Sequence, residues 1–77
     1  MPHVIVKLLP GMSAEQKARM TNAIVSDLIQ ILDKREESIS VAFEEFTLDR
    51  WSEQVVKPDI LGKWNMLTKE PGYDTRD

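Results

Sequence analysis

The chain has 77 residues, a net charge of −3 and no cysteine. A domain this short buries only about 60% of the surface its unfolded form exposes, and it lacks a disulfide staple or a thiolate metal site to compensate. Its charges are mixed, Lys34-Arg35 running straight into Glu36-Glu37, which argues against a phosphate-tracking surface and against nucleic acid as a partner. No apolar run approaches the ~20 residues of a membrane span. Pro10-Gly11 interrupts the N-terminus before a signal peptide's apolar stretch can form. The expectation is a cytoplasmic protein, one domain over residues 1–77, with no membrane partner. Small scaffolds without staples gain their missing buried area by oligomerising.

His3 to Leu9 reads as a strand, rich in branched and apolar residues and stopped by the turn-forming pair Pro10-Gly11. Ser13 and Gln16 form a capping-box pattern that opens a helix. Met20, Ile24, Leu28 and Ile31 then recur at helical spacing, with Ala23 and Leu32 widening the stripe. Lys17, Arg19 and their polar neighbours face water, and the helix should end near Leu32. Ser38 to Phe46 reads as a second strand, with Ile39, Val41 and Phe43 on one face and Ser38, Ser40, Ala42 and Glu44 on the other. A short helix is expected over Trp51–Val56. Pro58 then opens a last helix that buries Ile60, Leu61, Trp64 and Leu67 and stops at Pro71-Gly72. The polar tail Asp74–Asp77 is expected to fray.

Strand, helix, strand is a βαβ unit, so the fold class is α+β: two parallel strands with a right-handed crossover helix, plus C-terminal helices. Two strands alone are marginal, and each open edge invites another chain. A second copy would complete a four-stranded sheet with helices on one face, which predicts a homodimer.

Most catalytic constellations are absent. One histidine and no cysteine leave no transition-metal cluster, and no nucleophile-elbow, phosphate-loop or dinucleotide motif occurs. His3 reads as a strand residue with the alternative of a general base. Glu44 and Glu45 point to opposite faces and read as solvated strand charges. Pro2 carries chemistry that no other residue has. Once Met1 is removed its nitrogen is a secondary amine on a rigid ring. An apolar pocket disfavours the ammonium form of such an amine and so favours the free base. With Met1 retained the nitrogen is a tertiary amide without useful basicity.

Met1-Pro2 opening directly into an apolar strand, the spacing to Ser13-Ala14-Glu15-Gln16-Lys17, and the run Ser38-Ile39-Ser40-Val41 together resemble the 4-oxalocrotonate tautomerase family. The segment Leu67-Thr68-Lys69-Glu70-Pro71-Gly72-Tyr73 is similar to the longer, dimeric branch typified by a bacterial phenylpyruvate-enol tautomerase. The resemblance implies a cofactor-independent tautomerase in which Pro2 shuttles a proton between an enol oxygen and a carbon. Two arginines commonly bind substrate oxygens in that family. The matching positions here are Met12 and Ser40, which disfavours a doubly charged substrate and favours an aromatic or otherwise apolar 2-keto monoacid and its enol. An aromatic residue lining the family's site corresponds to Trp51. Ser38 and Ser40 are the expected hydrogen-bond donors to the enolate oxygen, and Arg50 is the candidate carboxylate partner. The rival reading is a tautomerase-like binding or structural dimer without significant catalysis.

Overall fold

In the computed structural model, which describes residues 1–73 and 75, two six-residue strands pair in parallel: β1 (His3–Leu8) and β2 (Ser40–Glu45). They are joined by the long helix α1 (Ala14–Leu32). His3 stands opposite Ser40, Val4 opposite Val41, and so on to Leu8 opposite Glu45. Paired residues of a parallel ladder share a face, so Val4/Val41 and Val6/Phe43 form an apolar face. Helix α1 lies over it, with the Lys17 ammonium 5.9 Å from the centre of the Phe43 ring. His3/Ser40, Ile5/Ala42 and Lys7/Glu44 occupy the opposite face, where Lys7 Nζ lies 4.0 Å from a Glu44 carboxylate oxygen.

Local sequence chemistry sets the ends of α1. The Ser13 hydroxyl accepts from the Gln16 N–H at 3.1 Å, and the Gln16 side-chain oxygen accepts from the Ser13 N–H at 3.0 Å. This reciprocal pair satisfies two donors that the helix itself cannot. Gly11, with φ at 124°, supplies a backbone conformation closed to most side chains just before the cap. At the other end Asp33 caps the helix in the left-handed region (φ 54°, ψ 42°), and no basic residue stands in the last turn. A β-carbon in that conformation and a negative charge at a helix C-terminus both cost stability. Asp33→Gly is therefore expected to stabilise the protein by about 0.5–1 kcal/mol, read as a higher urea midpoint at unchanged slope.

The buried stripe of α1 differs from the predicted one. Thr21, Ile24, Val25 and Leu28 are half-buried, whereas Met20, Ile31 and Leu32 are exposed, Ile31 at 76%. Length explains part of this. A 19-residue helix at roughly 1.5 Å per residue overhangs a six-residue strand at roughly 3.3 Å per residue. Its last turn therefore projects beyond the sheet.

The second strand starts later than expected. Glu36–Ser38 is a 3₁₀ turn in which the Ser38 N–H and the Ser38 hydroxyl both donate to the Arg35 carbonyl, at 3.0 and 2.7 Å. Serine competes in this way with strand pairing. Ser38 therefore does not share a strand face with Ser40. The alternation from Ser40 to Glu44 is as predicted.

The chain divides into two compact units, Met1–Glu45 and Phe46–Asp77. In the second, α2 (Leu48–Trp51) runs on directly into a π-helical segment, Ser52–Leu61, that contains Pro58. The expected break before Pro58, and the expected helix beyond it, do not occur. In an α-helix the Pro58 ring would meet the Gln54 carbonyl, whereas the wider π turn relieves that approach. Gly62 closes the segment with a 2.8 Å bond from its N–H to the Lys57 carbonyl. A β-carbon at Gly62 would sit 2.7 Å from the Pro58 carbonyl oxygen, so the close is built for glycine. A 3₁₀ turn, Trp64–Met66, follows. Of the expected tail only Thr75 lies among the described residues.

Only Val55 and Val56, each 4% exposed, are buried among the described residues. Ile5, Leu9, Leu48 and Met66 remain exposed along with the end of α1. Among the described residues no helix is long and apolar enough to cross a membrane.

Candidate active site

Pro2 immediately precedes β1 and is half-buried, while Met1 before it is fully exposed. Its carbonyl accepts the Ser40 N–H at 3.2 Å, which fixes Pro2 beside the first residue of β2. The Ser40 side chain points to the His3 ring, with Oγ and Nδ1 2.6 Å apart. Pro2, His3 and Ser40 thus form one cluster at the open end of the parallel pair. Ser38 lies two residues away on the 3₁₀ turn, its hydroxyl proton engaged by Arg35.

Met12 is at the other end of β1. A strand of this length separates it from Pro2 by roughly 20 Å within one chain. It lines an apolar groove with Leu8, Leu9, Met20 and Ala23, and Arg19 is the one cation among the described residues that line it. The periodicity put Arg19 toward bulk water. Its placement beside Met12 depends on how the Pro10–Ser13 loop turns back along α1, which spacing alone does not reveal. Arg19 makes no ion pair among the described residues.

Trp51 and Arg50 belong to the second unit. Trp51 is half-buried, its indole N–H donates to the Tyr73 hydroxyl at 3.2 Å, and its ring meets Phe46 edge-on at 6.4 Å between centroids. The indole is thereby held from both its polar and apolar sides. Arg50 is exposed. Beside it, Asp49 is held below the usual carboxylate range, chiefly by its hydrogen bond from the Thr47 side chain. A depressed carboxylate stabilises the fold above its unfolded value, and the gain is lost as pH falls through the folded value. Thr47→Val should raise the Asp49 titration midpoint, followed by carbon-13 NMR, and the stability gap to wild type should close on acidification.

The sequence profile of the family described as "Tautomerase enzyme" matches residues 2–58, so the match begins at Pro2. A tautomerase PptA from Pectobacterium carotovorum is 38% identical over 77 residues, covering 95% of this chain and 97% of its own. A probable tautomerase from Xylella fastidiosa is 34% identical over 73 residues, covering 95% and 89%. Among solved structures, one from work on the 4-oxalocrotonate tautomerase isozymes of Methylibium petroleiphilum superposes with a TM-score of 0.60 at 27% identity, covering 62% of this chain and 75% of that one. The parallel βαβ unit and the extent of these matches agree, and the chain belongs to the tautomerase family of enzymes.

Proposed function

We propose that the protein converts the enol of an aromatic or apolar 2-keto monoacid, of the phenylenolpyruvate type, to its keto form, with the nitrogen of Pro2 as the base. Removal of Met1 frees that nitrogen, and the full exposure of Met1 leaves it open to an aminopeptidase. Pro2 takes the enol O–H proton, the electron pair of that bond forms the carbonyl, and the C2=C3 π pair breaks to take a proton from the prolinium at C3. The step is an isomerisation and consumes nothing. The observation that carries the reading is the fixed position of Pro2 against the start of β2, beside a polar pair that can meet the substrate's oxygen.

The other half of the site comes from a second copy. Identical strands related by a two-fold axis pair antiparallel. The outer edge of β2 ends in Glu44-Glu45, a charged edge of the kind that discourages pairing, while β1 is apolar but for His3 and Lys7. Pairing through β1 sets Pro2 of one chain beside the Met12 groove of the other. That groove would offer apolar walls for the substrate's side group. With Met12 and Ser40 at the positions of the family's arginines, a single carboxylate suits the site better than two. An intact mass lacking Met1, together with ketonisation of phenylenolpyruvate by that protein, is the expected result. A protein that retains Met1 and shows no turnover would instead favour a tautomerase-shaped binding dimer.

A further inference from the structure

The contact between His3 and Ser40 has no structural duty that the rest of the fold requires. Both side chains are exposed, and they lie on the sheet face opposite α1. The parallel ladder is already closed at this point by the Ser40 N–H to Pro2 carbonyl bond. What the contact does control is the direction of one proton. A serine hydroxyl carries a single hydrogen and two acceptor lone pairs. If Nδ1 of His3 is bare, the hydroxyl must donate to it, and Ser40 has nothing left to give a substrate. If Nδ1 carries hydrogen, the ring donates to Oγ, and the hydroxyl proton is free to point outward. At 2.6 Å the two heavy atoms are in full hydrogen-bond contact in either case, so the tautomer of His3 decides whether Ser40 is a donor.

We propose that His3 is a positioning residue that, by donating from Nδ1 to Ser40 Oγ, makes the Ser40 hydroxyl a fixed donor to the enolate oxygen of the substrate. The inference rests on Pro2 acting as the base at this cluster. As Pro2 draws the proton from the enol oxygen, negative charge grows on that oxygen, and a donor already aimed there lowers the barrier without reorganising. The chain from ring N–H to hydroxyl to oxygen also polarises in one direction, which strengthens its last bond. His3 touches no substrate atom in this arrangement and acts only through Ser40.

The test is a set of variants assayed on phenylenolpyruvate beside wild type: His3→Ala, His3→Asn, Ser40→Ala, the His3→Ala/Ser40→Ala double variant, and Pro2→Ala. Asparagine places an amide N–H close to where Nδ1 stands, and so restores the donor without the ring. His3→Ala and Ser40→Ala should each lower kcat by about 10- to 100-fold with KM within a few-fold, since the lost bond is made in the transition state. The double variant should be no slower than Ser40→Ala alone, because the two residues act as one unit. His3→Asn should recover most of the His3→Ala loss. Additive losses, a loss in KM alone, or no recovery by asparagine would each overturn the role of His3. Inactivation by Pro2→Ala in the same series would show that the base assignment stands even so, whereas a fully active Pro2→Ala would remove the base itself. Both residues are exposed, and unchanged far-ultraviolet circular dichroism of the variants separates loss of chemistry from loss of fold.

Discussion

Pro2→Ala lowers kcat/KM for ketonisation by about 100-fold or more, with most of the fall in kcat; this is the expected result if the amino-terminal nitrogen is the base. A positioned general base contributes about 10²–10⁴-fold to a proton transfer. Alanine, like proline, is a small second residue that permits removal of Met1, so the variant still carries a free amine. What it loses is the ring, which holds the nitrogen's lone pair in one direction, and the secondary amine itself. A second variant isolates the amine from the ring. An N-terminal extension that is not cleaved leaves Pro2 in place but acylates its nitrogen, and it should be as inactive as Pro2→Ala or more so. If the acylated protein turns over as fast as the free one, proline is not the base, whatever the alanine variant does. If the acylated protein is dead and Pro2→Ala retains a tenth or more of the activity, a free terminal amine suffices and the ring adds little.

Where signals were local, the sequence could be read almost to the residue. The Ser13/Gln16 box and the end of α1 at Leu32 both stand where the spacing put them, because each depends on groups within one turn of each other. The alternation of Ser40, Val41, Ala42 and Phe43 was equally legible, since a strand covered on one face writes its pattern at period two. Ser38 failed for a reason just as local but less visible: its hydroxyl and N–H both prefer the Arg35 carbonyl to a place in the ladder. The region after Trp51 failed because proline reads as a helix break, and nothing in spacing signals that the backbone will widen into i→i+5 bonding to keep it. In the candidate site, Pro2 could be singled out because its chemistry is unique to a chain terminus. The meeting of His3 and Ser40 could not. It follows from the register of strands 37 residues apart in sequence, and a shift of one residue would send the serine to the other face.

Ile5→Pro should convert the protein to a monomer and lower its activity by a factor comparable to the loss of the base. The Ser40 N–H bonds to the Pro2 carbonyl, so in a parallel ladder the even-numbered residues of β1 turn their N–H and C=O groups toward β2. His3 and Ile5 turn theirs to the edge that has no strand beside it among the described residues. A proline at Ile5 therefore leaves every β1–β2 bond in place and removes a donor only from the outer edge, where proline is tolerated. Val4 before it is already extended, as the residue preceding proline prefers. In the proposed two-fold pairing Ile5 sits close to the axis, so the lost donor and the added ring act on both chains at the centre of the joined sheet. Pro2 would then lose the Met12 groove of its partner, about 20 Å away within its own chain. Light scattering behind size exclusion gives the mass, and the phenylenolpyruvate assay gives the activity. Ile5→Val is the control and should leave both unchanged. A monomer that keeps full activity would show that one chain holds the whole site. A fully active dimer would move the pairing off β1, to the β2 edge or to the apolar end of α1, where Ile31 and Leu32 stand exposed.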